Sequence, residues 1–323
     1  MTGIHRVRIS NAKVKFDFEL RRNITIVRGE SGTGKTTLFD MVAEHTRLHE
    51  KSGVNISSDV PCVALTDIDW KNQLRHFRNS IVFVDEGLEE ISSTDFARAL
   101  RKSDNYFVLF VRENLHNLPY SVNEIYRIKT SGKFHRLDPI YKSRTGHMYG
   151  TAPKLPQAVD STLLTEDTGS GYQFFKEAAK DSGMSCEAAG SNSSIYSWIT
   201  SHKDIPVFVI ADGAAFGAEM DRVIKLQNLH PDQIRVCLPE SFEWLILNSG
   251  LIRADEIDNV LSNPSDFIDS AKYFSWEQFF TDFLKQQTLN THYSYSKKRI
   301  NAFYLIPENS KKIVAAIALR LNG

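Results

Sequence analysis

The stretch 29-GESGTGKTT-37 decides the fold of the first half of this 323-residue chain. Residues 24–27 (ITIV) precede it and predict a buried strand, and residues 35–45 predict a helix. The spacing satisfies G-x-x-x-x-G-K-[ST]. Glycines in such a loop let backbone N–H groups turn inward around a phosphate, and the following helix N-terminus favours negative charge. We call residues 29–37 the Gly-rich loop and expect it to bind the phosphates of a nucleotide.

The side chains at the end of the Gly-rich loop have separate expected roles. Lys35 would reach the β- and γ-phosphates, and the Thr36 hydroxyl would ligate Mg²⁺. ATP is the expected nucleotide, because the chain has no NKxD-type motif that reads guanine. The loop residues predicted to bind the nucleotide are Gly29, Ser31, Gly32, Thr33, Gly34, Lys35, Thr36 and Thr37.

A second apolar strand, predicted over residues 80–86 (SIVFVDE), ends in two carboxylates. Asp85 would hold the Mg²⁺ through water, and Glu86 would orient or deprotonate the attacking water. For Glu86 the alternative is an ordinary solvated carboxylate at a strand end. Together with the Gly-rich loop, this pair predicts hydrolysis of ATP.

A third apolar strand, predicted over residues 106–113 (YFVLFVRE), ends in Arg112. An arginine at such a strand end can sense the γ-phosphate, although a surface arginine is an equal alternative. His116 is a weaker candidate for the same role. There is no LSGGQ-like signature between the two nucleotide motifs, so the sequence does not support a dimer that is completed by such a loop.

The composition is that of an ordinary globular protein, with 41% hydrophobic and 24% charged residues and a formal net charge of zero. No apolar run reaches the roughly 18 residues of a transmembrane helix, and the N-terminus lacks the apolar core of a signal peptide. Three scattered cysteines argue against a disulfide framework or a zinc site. We therefore expect a cytoplasmic protein with no membrane partner.

The length predicts two domains. Apolar runs alternate with helical patterns in both halves, which predicts an α/β fold with mostly parallel sheets and helices on both faces. The expected division is a first domain over residues 1–143, a linker over 144–160 and a second domain over 161–323 with a helical C-terminal part.

Carboxylates also follow two predicted strands of the second half. Glu166 comes after residues 161–165, and Asp212 comes after residues 205–211. The carboxyl ends of parallel strands meet at one edge of a sheet. Two carboxylates there can share a Mg²⁺ ion, which prefers oxygen ligands.

This pattern resembles the Toprim domain of topoisomerases, primases and the overcoming-lysogenization-defect nucleases. The family has a glutamate after the first strand, a Gly-containing turn after the second and D-x-D-x-x-G after the third. The matching residues are Glu166, then 189-AGSN-192, then 212-DGAAFG-217. The chain thus looks like a reduced member of the ATPase–Toprim class, which implies ATP-gated, Mg²⁺-dependent cleavage of nucleic acid in phage defence.

Ala214 stands where the family has its second aspartate. The acids that could substitute are Glu219, Asp221, Glu240 and Glu243. Toprim nucleases also use a lysine downstream of the acids, and Lys297 or Lys298 could fill that place; we take Lys297 as the candidate. The surrounding stretch 293-YSYSKKR-299 suits a nucleic-acid backbone.

The expected function is an ATPase whose second domain acts on nucleic acid, within a homo-oligomer or a complex with another protein. The predicted catalytic residues are Glu86, Glu166, Asp212 and Lys297. One alternative is an ATP-dependent regulator or scaffold with a degenerate Toprim-like domain. The other is a small-molecule phosphotransferase, which Glu86 disfavours because a water-activating glutamate favours hydrolysis.

Overall fold

The computed structural model describes residues 1–30, 32–66, 69–142, 148–149, 161–180 and 182–318. The chain forms two compact α/β units. The first contains Met1–Tyr141 together with Asn263–Ser275, and the second contains Lys142–Ser262 together with Trp276–Gly323. No helix in the described ranges is both long and apolar enough to cross a membrane.

The first unit is built on one mixed sheet, whose spatial order is β4-β1-β2-β9-β8-β3-β7-β6-β5 among the described residues. The strands are β1 (His5–Ser10), β2 (Lys15–Leu20), β3 (Ile24–Arg28), β4 (Asn55–Ser57), β5 (Cys62–Leu65), β6 (Ile81–Val84), β7 (Tyr106–Val111), β8 (Ile125–Ser131) and β9 (Phe134–Pro139). Strands β8, β3, β7, β6 and β5 run parallel to one another. Strands β1, β2 and β4 pair antiparallel, and so do β8 and β9.

The burial pattern explains which strands lie at the centre. In β1 and β2 buried and exposed residues alternate, so one face of each strand packs on the core. Strands β6 and β7 are buried at every position, as expected for parallel strands inside a sheet. The predicted hairpin near the N-terminus and the strands before the Gly-rich loop, Asp85 and Arg112 are confirmed.

The helices of the first unit are α1 (Lys35–Leu48), α2 (Trp70–His76) and α3 (Thr94–Arg101). Helix α1 begins at the predicted residue and buries Leu38, Met41 and Val42 against the sheet side of the core. Helix α3 has the predicted cap, because the Ser93 hydroxyl accepts a 3.1 Å hydrogen bond from the Phe96 amide. An N-cap of this kind stabilises a helix by about 1 kcal/mol.

The division of the chain differs from the sequence interpretation at Asn263–Ser275, which falls within the predicted second domain. The Gly3 amide donates to the Ser265 carbonyl at 2.7 Å, and the Ser270 amide donates to the Met1 carbonyl at 2.9 Å. The N-terminal ammonium lies 3.0 Å from the Asp269 carboxylate. These contacts hold the segment to the N-terminal strands, so the second unit is interrupted in sequence.

The second unit is built on a five-stranded sheet of order β10-β14-β13-β11-β12 among the described residues. The strands are β10 (Met148–Tyr149), β11 (Thr162–Thr165), β12 (Ser185–Ala188), β13 (Val207–Ile210) and β14 (Ile234–Cys237). Strands β12, β11, β13 and β14 are parallel, as predicted. Strand β10 pairs antiparallel with β14 and lies within the stretch interpreted as a linker. The rest of that stretch lies outside the described residues.

Helices surround this sheet in sequence. They are α4 (Ser170–Lys180), α5 (Asn192–Ser201), α6 (Gly217–Leu229), α7 (Phe242–Asn248), α8 (Asp255–Ser262), α9 (Trp276–Gln287), α10 (Ala302–Leu305) and α11 (Pro307–Ala318). Helices α7, α9 and α11 pack together, which brings the C-terminal part of the unit beside the carboxyl ends of β11 and β13.

Candidate functional site

The Gly-rich loop connects β3 to α1. Gly32 and Gly34 have φ angles of 82° and 94°, a left-handed conformation that glycine adopts without steric cost. Gly34 is also the N-cap of α1 and accepts a 3.0 Å hydrogen bond from the Leu38 amide. The loop therefore needs glycine at these two positions to turn tightly into the helix. Ser31, which the sequence assigns to phosphate binding, lies outside the described residues.

Lys35 is 5% exposed although it carries a charge. Its ammonium group donates to the carbonyl of Gly29 and, at 3.4 Å, to the carbonyl of Glu30. The positive charge is therefore held inside the curve of the loop, at the positive end of the α1 dipole. An anion that enters the loop would meet the ammonium group and the backbone amides together.

Strand register brings the other predicted residues to the same edge. Arg28 at the end of β3 is level with Val111 at the end of β7, and Val84 at the end of β6 is level with Leu109. Arg112 therefore follows β7 beside the loop, and Asp85 and Glu86 follow β6 one strand further away. The ends of three parallel strands form the edge where ligands bind in α/β sheets.

A cleft of about 350 Å³, which we call the loop cleft, opens at this edge. Its lining includes loop residues from Glu30 to Thr37, the carboxylate of Glu86 and the guanidinium of Arg112. Asp85 is half-buried beneath Glu86 and does not line the cleft. Burial raises the pKa of the Asp85 carboxyl, while the amides of Gly87 and Glu86 donate to it and lower that pKa.

Glu86 and Arg112 form an ion pair with 2.6 Å between Glu86 Oε1 and Arg112 Nη2. The second oxygen of Glu86 is buried and has no hydrogen-bond partner among the described residues. A buried carboxylate oxygen without a donor costs free energy unless water or a ligand satisfies it. The alternative of a fully solvated Glu86 is therefore not what the structure shows. His116 does not line the loop cleft.

The opposite wall of the loop cleft was not anticipated from the sequence. It comes from β2 and the β8–β9 hairpin and is lined by Val14, Phe16, Thr130 and His135. The His135 ring stacks on Phe16 at 4.7 Å between centroids, and Nδ1 lies 3.0 Å from the Thr130 hydroxyl. The hairpin lies about 100 residues after the loop, and its only signal is the strand order, which the sequence does not reveal.

In the second unit, Glu166 and Asp212 follow the neighbouring parallel strands β11 and β13. The Asp212 amide donates a 3.1 Å hydrogen bond to Glu166 Oε2, and Asp212 Oδ1 accepts one of 3.2 Å from the Phe242 amide. Both carboxylates line one small cavity of about 40 Å³, which we call the acid cavity. The structure therefore brings these two predicted residues together.

The backbone after Asp212 is tightly packed. A Cβ atom on Gly213 would lie 2.6 Å from the Leu238 carbonyl oxygen and 2.9 Å from that of Pro239, which leaves room only for glycine. The next residue, Ala214, is 3% exposed and does not line the acid cavity.

Two further charged groups complete the acid cavity. Lys297 donates to Glu277 and lies 4.0 Å from Glu243 Oε1. Glu243 is 1% exposed and accepts a 2.7 Å hydrogen bond from the Tyr295 hydroxyl, and its Oε2 has no partner among the described residues. Glu243 was one of four acids proposed as substitutes, and Glu277 was not anticipated. The other three do not line the cavity, and two of them pair with basic residues on α6, Glu219 with Arg222 and Asp221 with Lys225.

Burial and like charge make the acid cavity a site of altered acidity. Burial raises the pKa of Glu166 to about 7, and nearby Glu277 adds to this against the Asp212 amide. Burial, followed by repulsion from Glu166, raises the pKa of Asp212 well above its usual range. Burial lowers the pKa of Lys297, but Glu243, Glu277 and Asp212 outweigh it and raise that pKa overall. The two strand-end carboxyls thus hold a proton near neutral pH, beside a charged lysine.

The two sites differ in how well they fit Mg²⁺. In the loop cleft, the Thr36 hydroxyl, the neighbouring carboxylates and the unpartnered Glu86 oxygen offer the oxygen atoms that Mg²⁺ prefers. In the acid cavity, Glu166 and Asp212 each have one oxygen bonded to an amide and one without a protein donor. Within the described ranges, however, no group of three or more His, Cys, Asp or Glu residues is arranged to hold a metal ion.

No family model matches this chain, and no curated protein matches it with the significance required of a relative. The resemblance to ATPase–Toprim proteins therefore rests on the motifs and on the arrangement of the residues described above.

Proposed function

We propose that this protein binds ATP and hydrolyses it in the loop cleft. The observation that supports this most is that Lys35, Thr36, Glu86 and Arg112 line one cleft although they come from three separate strand ends. A turn that binds no ligand would not require a buried lysine, and a structural strand end would not require a buried carboxylate oxygen without a donor.

Each residue has a defined role in this proposal. The Gly-rich loop amides and Lys35 hold the β- and γ-phosphates, and Thr36 and Asp85 hold Mg²⁺, which neutralises charge that develops on the phosphate oxygens. Glu86 accepts a hydrogen bond from the attacking water and positions it. Arg112, which pairs with Glu86, turns toward the γ-phosphate and stabilises its charge in the transition state.

Phosphate release from ATP tests this proposal. The parent protein, Lys35→Ala and the control Lys51→Ala, which changes an exposed lysine outside the cleft, are compared with Mg²⁺ present. We expect turnover by the parent and the control, and loss of about 100-fold or more in Lys35→Ala, as for removal of one electrostatic contact to the transition state. Equal rates in all three proteins would contradict the proposal.

For the second unit we propose Mg²⁺-dependent cleavage of nucleic acid, gated by ATP, in defence against phage. The contact between Glu166 and Asp212 in one cavity supports it, because cleavage needs convergent carboxylates. Lys297, within reach of both the acid cluster and solvent, would stabilise charge on the scissile phosphate.

A second candidate function also has a specific observation in its favour. Ala214 is buried where the family pattern has an acid, and Lys297 already neutralises part of the acid cluster. These features suit an ATP-dependent regulator whose second unit binds a partner without cleaving it.

One experiment separates the two candidates. Plasmid DNA and tRNA are incubated with the protein and Mg²⁺ or Mn²⁺, with and without ATP, beside Glu166→Ala and the control Glu308→Ala, which changes an exposed acid on α11. Cleavage by the parent and the control that is lost in Glu166→Ala supports the nuclease. Intact substrate under every condition, with ATP hydrolysis preserved, supports the regulator instead.

A further inference from the structure

A groove of about 970 Å³ lies beside the acid cavity, between α4 and residues 294–305. We call it the basic groove. Tyr172 lines both the basic groove and the acid cavity. A molecule bound along the groove would therefore reach the acid cavity at the tyrosine ring.

The two walls of the basic groove are joined by hydrogen bonds. The Gln173 side chain donates to the Lys298 carbonyl at 2.9 Å and accepts from the Ile300 amide at 3.0 Å. The Ser170 amide donates to the Lys297 carbonyl at 2.9 Å. A Cβ atom on Gly169 would lie 3.0 Å from that same carbonyl oxygen, so the close approach depends on glycine. The groove is thus preformed, which lowers the entropy cost of binding.

The charge of the groove is positive on both walls. Lys176 and Lys180 lie one turn apart on α4, and Arg299 faces them from the other wall. All three are exposed. The groove contains one acid, Glu177, which pairs with Lys180 at 2.7 Å. Three cations against one anion leave a net positive surface directly beside a cavity rich in carboxylates.

The remaining lining adds neutral donors and a ring. The hydroxyls of Ser294 and Ser296 are exposed in the groove and suit phosphate or sugar oxygens. The Tyr172 ring is half-buried, with the Lys176 ammonium 5.5 Å from its centroid. Such a ring can stack on an unpaired base, whereas the bases of a duplex already stack on each other.

We propose that the basic groove binds a single-stranded nucleic acid and leads it past Tyr172 to the acid cavity. This inference rests on the proposed action of the second unit on nucleic acid and specifies the form of the substrate and its path. Lys176 and Arg299 hold phosphates of the strand on opposite walls, and Tyr172 stacks on a base at the entrance of the cavity.

The test measures binding of fluorescein-labelled strands to the full chain by fluorescence anisotropy, with EDTA present so that no strand is cut. The probes are oligothymidine, oligouridine and a DNA duplex, each of about 20 units, long enough to cover one binding site. The variants are Lys176→Gln/Arg299→Gln and Tyr172→Leu. The matched control, Lys203→Gln/Lys285→Gln, removes two exposed lysines that do not line the groove.

We expect the parent to bind at least one single strand more tightly than the duplex. In Lys176→Gln/Arg299→Gln the slope of log affinity against log salt becomes shallower by about 0.7 for each lost phosphate contact. Tyr172→Leu weakens binding about tenfold or more through lost stacking and leaves the salt slope unchanged. The control pair binds like the parent. Comparing thymidine with uridine shows which sugar is preferred.

Several results would overturn the inference. These are a parent that binds no strand at about 50 mM salt, where electrostatic binding is strong, groove variants that bind like the parent, a control pair that loses as much, or a duplex that binds as tightly as the strands. The proposed nuclease fails separately: groove-dependent binding without cleavage under any metal leaves the groove intact. Cleavage that persists unchanged in the groove variants would reject the groove and leave the nuclease.

Discussion

The Asp212 amide donates a 3.1 Å hydrogen bond to Glu166 Oε2 and so joins the ends of two neighbouring parallel strands. The register places Thr165 opposite Ile210, so the two acids emerge within one residue of the same level. A single backbone contact thus fixes two buried carboxyl groups in one cavity, and their shared acidity becomes measurable.

The pH dependence of stability should report this pair. Glu166 has a pKa of about 7 in the folded protein, above its ordinary value of 4.5, because it is buried. Between these values the folded protein binds more protons than the unfolded chain, so the free energy of unfolding falls as pH rises from about 4.5 to 7. Glu166→Gln removes this loss. Relative to the parent, the variant should gain about 1–3 kcal/mol between pH 5 and pH 8.

Urea unfolding of parent and variant in EDTA at several pH values measures this gain. Glu308→Gln, which changes an exposed carboxylate, serves as the control and should follow the parent at every pH. A constant offset between Glu166→Gln and the parent from pH 5 to pH 8 would show that the Glu166 carboxyl has an ordinary pKa.

Gly213 should be the most sensitive glycine of the second unit that has no left-handed backbone. A methyl group there would lie 2.6 Å from one carbonyl oxygen and 2.9 Å from another, so backbone must move to admit it. We expect Gly213→Ala to lower the free energy of unfolding by about 1–3 kcal/mol, as overpacking does. Gly87→Ala is the comparison, since its nearest neighbour would be 3.7 Å away. Equal denaturation midpoints for the two variants would refute the tight packing after Asp212.

His135 should contribute to nucleotide binding from the wall opposite the Gly-rich loop. Its ring stacks on Phe16 and lines the loop cleft. Replacing it with alanine removes an aromatic surface whose contacts contribute about 1 kcal/mol, or about fivefold in affinity. Isothermal titration of ATP into His135→Ala and into the control His76→Ala, which lies on α2 outside the cleft, measures this effect. Unchanged affinity in His135→Ala would exclude this wall from the binding site.

Much of the arrangement follows from local sequence. The strands before Gly29, Asp85, Arg112, Glu166 and Asp212 are apolar runs with a sharp polar end, and such runs predict buried parallel strands directly. The glycines and the Lys35-Thr36 pair identify the loop because a tight turn into a helix has few other solutions. These signals are contained within a few residues, so one sequence is sufficient to read them.

The remainder depends on contacts between distant residues. His135 and Thr130 reach the loop cleft only because β8 pairs with β3, and nothing near His135 in the sequence indicates that pairing. Glu277 enters the acid cavity because α9 packs on α7, and its local pattern is that of any amphipathic helix. Asn263–Ser275 joins the first unit through backbone hydrogen bonds, which leave no trace in side-chain pattern.

The central claim is that Glu86 acts on water in the loop cleft while the Gly-rich loop holds ATP. The most direct test measures ATP affinity and single-turnover phosphate release for the parent and Glu86→Gln in the same preparations. The account predicts that Glu86→Gln binds ATP within about threefold of the parent and releases phosphate at least about 100-fold more slowly, the usual contribution of a positioned base. Phosphate release at the parental rate by Glu86→Gln, or a parent that neither binds nor hydrolyses ATP, would contradict it.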